Sequence, residues 1–168
     1  MMFLKLLFLA ILFSIENPSD ALTGNPFGNY TYNKVFYETG RTKAEGWVKN
    51  GVKEGYWRFY HPNGILAEKG HYKNGRRNSY WFFFTCSGAP QQEGHYTNDK
   101  MADWWLFYDS KGRIDHKCQL TDGKKNGYCL KYTNEILTAA EKYSNGTKIK
   151  KWTSFTSFKR ENKLSDLK

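Results

Sequence analysis

Glu68-Lys-Gly-His-Tyr72, then Asn74-Gly75, then Tyr80-Trp-Phe-Phe-Phe84, then Ser87-Gly88 read as one β-hairpin and the turn that leaves it. Asn-Gly accepts the positive φ of tight hairpin turns, and the aromatic run favours a strand. Side chains alternate between the two faces of a strand, so Trp81 and Phe83 share a face while Tyr80 and Phe84 take the other.

The same unit recurs outward from this stretch. Asn50-Gly51, Asn74-Gly75, Asn98-Asp99, Asp122-Gly123 and Asn145-Gly146 are spaced by 24, 24, 24 and 23 residues. Trp57, Trp81, Trp105 and Trp152 keep station with them, and Cys129 fills the vacant slot. Gly40, Gly64, Gly88 and Gly112 mark the second turn, and six residues later come Gly46, Gly70, Gly94 and Cys118. Val48, Tyr72, Tyr96, Leu120 and Tyr143 precede the Asn-Gly-type turns by two residues. Several residue classes on one period identify a repeat architecture. The expected fold is all-β, an elongated antiparallel meander of about five 24-residue hairpin units over residues 36–156. Each unit leans on its neighbours. Trp57, Trp81, Trp105 and Trp152 are the expected repeat core. The fifth unit is expected to be irregular, with Glu135 where a turn glycine would fall.

Composition fits this fold. The chain has 168 residues, enough for one domain, with 12 Tyr, 12 Phe, 6 Trp and 15 Gly. That aromatic content argues against disorder. A mean hydropathy of −0.77 excludes a polytopic membrane protein. Lys and Arg number 26 against 16 Asp and Glu, a net charge of +10.

The flanks read differently. Leu6 to Ile15 form an apolar run behind Lys5, too short for the roughly 20 residues that span a bilayer and suited to a signal peptide. Small residues at Ser19 and Ala21 place cleavage after Ala21. An uncleaved anchor or a buried strand is the alternative. Residues 22–35 are expected to be a linker and 157–168 a polar tail, either a short capping helix around Leu164 and Leu167 or a frayed end. The expected location is outside the cell, in the periplasm or at the cell envelope.

Tyr37-Glu-Thr-Gly40, Glu45-Gly46, Asn50-Gly51 and Gly55-Tyr56-Trp57 resemble the MORN repeat in its bacterial, YwqK-like, antitoxin-type variant. The second unit repeats the pattern with Asn63-Gly64, Gly70-His-Tyr72, Asn74-Gly75 and Tyr80-Trp81. Ser79 and Asp103 depart from it at the Gly55 position. The resemblance covers about 120 residues. It implies a hairpin scaffold that binds proteins, or in some members membranes, with no catalytic residues. Some members are antitoxins or immunity proteins. The expected function is therefore non-enzymatic binding of a protein partner, with neutralisation of a toxin as the alternative and anionic phospholipid as the remoter one.

The candidate sites follow from the repeat. His71 and His95 occupy equivalent positions two strands apart, about 9–10 Å, too far to converge on one metal without further ligands, so no metal or cofactor is expected. No phosphate loop, GxSxG or HExxH motif occurs. Lys49, Lys53, Lys73, Arg76, Arg77, Lys100, Lys124, Lys125, Lys148, Lys150 and Lys151 surround the Asn-Gly turns, which a meander lines up along one edge. This basic edge either protects the sheet from aggregation or attracts an acidic protein or an anionic membrane. Export argues against nucleic acid. Cys118 and Cys129 replace the Gly and Trp that the first three units carry eleven residues apart. The joint change points to a cross-hairpin disulfide, with two reduced buried thiols as the alternative and Cys86 left free.

Overall fold

The computed structural model of the chain describes residues 29–167; the expected signal segment lies outside the described residues. The strands are β1 (Tyr30–Phe36), β2 (Thr42–Lys49), β3 (Val52–Tyr60), β4 (Leu66–Lys73), β5 (Arg76–Phe84) and β6 (Pro90–Thr97). They continue as β7 (Lys100–Tyr108), β8 (Ile114–Thr121), β9 (Lys124–Thr133), β10 (Ile136–Ser144) and β11 (Thr147–Trp152). A short helix α1 (Phe155–Glu161) and a 3-10 turn (Leu164–Leu167) follow. All 11 strands form one sheet in sequence order, an antiparallel meander.

A single-layer sheet has no second layer to bury its side chains, so the core is built along one face. Trp57, Trp81 and Trp105 each lie flat on the glycine of the preceding strand, Gly46, Gly70 and Gly94. A methyl group on any of these glycines would overlap the indole. Each indole N–H donates to a carbonyl of that strand: Trp57 to Trp47 at 2.7 Å, Trp81 to His71 at 3.1 Å and Trp105 to His95 at 2.9 Å. Phe59, Tyr72, Phe83 and Tyr96 fill the spaces between indoles. Tyr72 meets Trp81 edge-on at 5.1 Å, and Tyr96 meets Trp105 in the same way at 5.1 Å. Trp81 and Trp105 are completely buried.

The ladder continues through a different chemistry. Cys118 stands opposite Trp105 on one side and Cys129 on the other. The two cysteines form a disulfide with Cα atoms 4.0 Å apart, and Cys86 is free and exposed. Beyond them Glu141 ends the buried row. Burial opposes its ionisation, but hydrogen bonds from Tyr143 and Lys148 outweigh burial and hold its carboxyl below the usual range.

Trp152 is not part of this ladder. It is buried on the opposite face with Tyr128, Leu130, Ala140 and Phe158. The reason is a bulge. Gly46 faces Trp57 while Trp47 faces Glu54, so β3 carries two unmatched residues, Gly55 and Tyr56. The first of these positions is left-handed in four units: Gly55, Ser79, Asp103 and Gly127 have φ of 65°, 61°, 59° and 110°. In the last hairpin Lys142 faces Lys150 while Tyr143 faces Lys148, which leaves only Ile149 unmatched. One residue fewer in the bulge reverses the faces of everything beyond it. Trp152 keeps its distance from the turn and changes sides.

Both flanks of the repeats are structured. Residues 30–35, read as linker, belong to β1, which pairs with β2 from Tyr30↔Lys49 to Phe36↔Thr42. The strand-forming Thr31, Tyr32 and Val35 lie ahead of the first full repeat, so a period search passes over them. The tail is helical. Ser154 caps α1 by accepting from the Ser157 N–H at 3.2 Å, and Phe158 closes over Trp152 with ring centroids 5.4 Å apart.

Candidate functional site

The Asn-Gly turns lie along one edge and are tied to one another. The turn N–H of Gly75 donates to Lys53 O at 2.9 Å, Asp99 to Arg77 O at 3.0 Å, Gly123 to Met101 O at 2.9 Å and Gly146 to Lys125 O at 2.7 Å. Carboxylates add a second tie: Glu54 accepts from the Asn74 N–H and Asp99 from the Arg77 N–H, both at 2.7 Å. Asn50, Asn74, Asn98, Asp122 and Asn145 all hold positive φ near 50°. The edge is a hydrogen-bonded stack of turns, and its side chains keep fixed spacing.

The basic residues expected on this edge divide into three groups. Arg77, Lys53 and Lys125 turn inward over the ladder face. The Arg77 guanidinium lies 4.6 Å from the Trp81 ring centroid and makes a bidentate pair with Glu68 at 2.7 and 2.8 Å. Lys53 covers Trp57, Phe59 and Tyr72 at 4.7–5.0 Å, and Lys125 covers Tyr143 at 5.0 Å. Burial lowers the Lys53 pKa. These cations roof the aromatic core, where the attraction of a cation to an aromatic face is least screened by water. Lys100, Lys148 and Lys150 are ion-paired with Asp122, Glu141 and Glu161. Among the described residues, Lys49, Lys73, Arg76, Lys124 and Lys151 are exposed and make no ion pair, although Lys49 lies over the Tyr30 ring at 5.0 Å. Lys73, Asn74, Arg76, Asn78 and Asn98 enclose a polar hollow between two neighbouring turns.

The roofing slot was open to sequence reading. Lys53, Arg77, Met101 and Lys125 recur every 24 residues, four ahead of Trp57, Trp81, Trp105 and Cys129. Their proximity to the turns concealed the role. The opposite face holds a comparable pairing. Tyr60 donates to Glu45 at 2.7 Å and Tyr108 to Glu93 at 2.9 Å, whereas the intervening unit replaces the pair with Lys69 over Phe84 at 5.8 Å. Burial and the Glu45 carboxylate push the Tyr60 phenol up to about 12, and the Tyr60 hydrogen bond holds Glu45 below the usual carboxylate range. Such Glu–Tyr pairs are reciprocal, each partner stabilising the charge state of the other.

His71 and His95 sit on this second face against Tyr56 and Tyr80, with ring centroids 5.0 and 4.8 Å apart. Among the described residues no group of three or more His, Cys, Asp or Glu gathers where a metal could bind. An apolar cleft of about 200 Å³ opens between β10 and α1, lined by Leu130, Ala140, Trp152, Phe155, Phe158 and Leu164. It depends on the helix and on the displaced Trp152, neither of which the repeat period specifies. No protein-family model matches the chain, and no curated protein matches it.

Proposed function

We propose that the protein is a non-enzymatic binding scaffold, acting at the cell envelope or outside the cell, that presents its Asn-Gly edge to an acidic protein partner. The observation that carries this reading is the row of exposed cations without an ion pair among the described residues, Lys73, Arg76 and Lys124, flanking turns held together by hydrogen bonds. Edge protection alone needs no fixed spacing between charges. A stacked edge offers a partner a preorganised row and so reduces the ordering cost of binding. The resemblance of the units to MORN repeats supports the same class of function, and neutralising a toxin would be one form of it.

The test is capture from the envelope fraction of the source cell by the wild type and by the Lys73→Ser, Arg76→Ser, Lys124→Ser triple variant. The wild type should retain an acidic protein that the variant loses. The difference should shrink with added salt, because charges are screened over about 8 Å at physiological ionic strength. Melting temperature should barely move, since these side chains are exposed and unpaired. Equal capture by both proteins, or binding indifferent to salt, would overturn the proposal. Retention by anionic vesicles but by no protein would replace the partner with a membrane surface.

A further inference from the structure

The two ends of the sheet are unlike. β11 carries Lys148, Lys150 and Lys151 along its short length, and Lys150 pairs with Glu161 of α1. Lysines and a covering helix are the usual protections of an edge strand. β1 has neither. Every one of its seven residues is exposed, including Tyr30, Tyr32, Val35 and Phe36 at 39–54%. Its one charge, Lys34, is drawn back to Glu45 at 3.3 Å.

The backbone of β1 is half used. Asn50 N–H donates to Asn29 O at 3.3 Å, and the register runs without a shift from Tyr30↔Lys49 to Val35↔Ala44. Antiparallel pairs alternate between hydrogen-bonded and non-bonded, so residues 29, 31, 33 and 35 turn their N–H and C=O groups to β2. Those of Tyr30, Tyr32, Lys34 and Phe36 point out from the sheet.

We propose that β1 pairs antiparallel with β1 of a second copy of this chain, centred on Asn33, so that the two sheets become continuous. The sequence Tyr30-Thr-Tyr-Asn-Lys-Val-Phe36 is self-complementary in this register. Tyr30 meets the second copy's Phe36, Thr31 meets its Val35 and Tyr32 meets its Lys34. Aromatic, β-branched and cation–aromatic pairs each stabilise a cross-strand contact. The outward N–H and C=O groups of residues 30, 32, 34 and 36 meet one another, so all seven residues find partners. Centring on Lys34 would oppose two like charges, and centring on Tyr32 would leave Val35 and Phe36 unpaired. Tyr32 already rests edge-on against Trp47 at 5.2 Å, so the second copy's Lys34 would enter an existing aromatic surface.

The experiment is sedimentation equilibrium over a range of concentrations, on protein produced from the full reading frame so that its N-terminus is processed as in the cell. The wild type should show a reversible monomer–dimer equilibrium. Tyr32→Lys places like charges opposite each other twice per dimer and should weaken it at least about tenfold, whereas Tyr32→Glu faces Lys34 and should keep or tighten it. Register is read separately in a Cys86→Ser background. Asn33→Cys should cross-link to itself under mild oxidation, because the central pair is non-hydrogen-bonded and its Cα atoms lie about 4.5 Å apart. Thr31→Cys should not. A monomer at every concentration, a dimer equally strong in the Lys and Glu variants, or self-linking through Thr31→Cys instead of Asn33→Cys would overturn the proposal. So would pairing of this edge with a different chain only.

Discussion

The first three repeats and the C-terminal end of the sheet meet one problem with different means. A single layer of strands gives each side chain neighbours beside it and little above. In the repeats the remedy is local and recurrent: indole on glycine, N–H to a carbonyl of the preceding strand, a cation or Met101 above, and tyrosines between. At the C-terminal end that pattern stops. The glycine and tryptophan give way to Cys118 and Cys129, the buried row ends on Glu141, and Trp152 moves to the other face beneath α1. Repetition supplies a core only where a further unit follows. An end has to be closed by a covalent link or by a cap on whichever face is available.

The comparison is broken most severely in the middle of the ladder. Trp81 shares its burial with Phe83 of its own strand and with Phe59, Tyr72 and Tyr96 from strands on both sides. Trp81→Ala should cost about 3–5 kcal/mol, the range for large aromatic deletions from packed sites. Trp152→Ala should cost less, because it frees α1 and leaves the ladder intact. Urea unfolding of both variants, followed by far-UV circular dichroism, measures the difference. Equal losses would show that the C-terminal cluster carries as much of the stability as the ladder.

The disulfide comes next in size. Its loop is short, the cysteines standing eleven positions apart, so breaking it should cost about 2–3 kcal/mol if the effect is mainly on the unfolded chain. A Cys118→Gly, Cys129→Trp double variant sharpens the comparison, because it writes the repeat's own solution into the fourth unit with Lys125 already in the roofing slot. Melting temperature with and without reductant is the readout. The double variant should recover part of what the Cys118→Ser, Cys129→Ser variant loses and should not respond to reductant. If it is no better than the serine variant, the fourth unit cannot accept the ladder, and the cysteines are more than a substitute for it.

How much of this was legible in the sequence follows from what a period can encode. Turns, strands, indole–glycine pairs and the basic edge recur, so their equivalence can be read directly. Trp152 misleads because it lies seven residues after Asn145, as Trp81 does after Asn74. What changed is the residue count inside the bulge, and a period marks the positions of residues without recording which of them go unpaired. β1 and α1 occur once each, so no recurrence marks them. Arg77 belongs to the turn edge by sequence and to the ladder face by contact. Its neighbours in sequence are turn residues, while its partner Glu68 and the Trp81 ring come from the ladder face.

The smallest effect tests the bulge that sets this parity. Ser79 and Asp103 hold φ of 61° and 59° where Gly55 and Gly127 occupy the same slot. A Cβ in left-handed backbone costs roughly 1–2 kcal/mol, less for Asp and other short polar residues. The Cβ built on Gly55 meets no atom within 4 Å, so the penalty there comes from the backbone conformation alone. Ser79→Gly and Asp103→Gly should therefore each stabilise the protein, by up to about 1 kcal/mol, since glycine's greater freedom in the unfolded chain takes back part of the gain. Gly55→Ala should destabilise it by a similar amount. Chemical denaturation of the three variants supplies the signs. If Ser79→Gly is destabilising, its side chain does something in the bulge that outweighs the strain. The equivalent change in β11, Lys150→Gly, lies beyond the one-residue bulge and has no left-handed backbone to relieve. It should lower stability instead, and this reversal of sign between equivalent repeat positions would locate where the pattern ends.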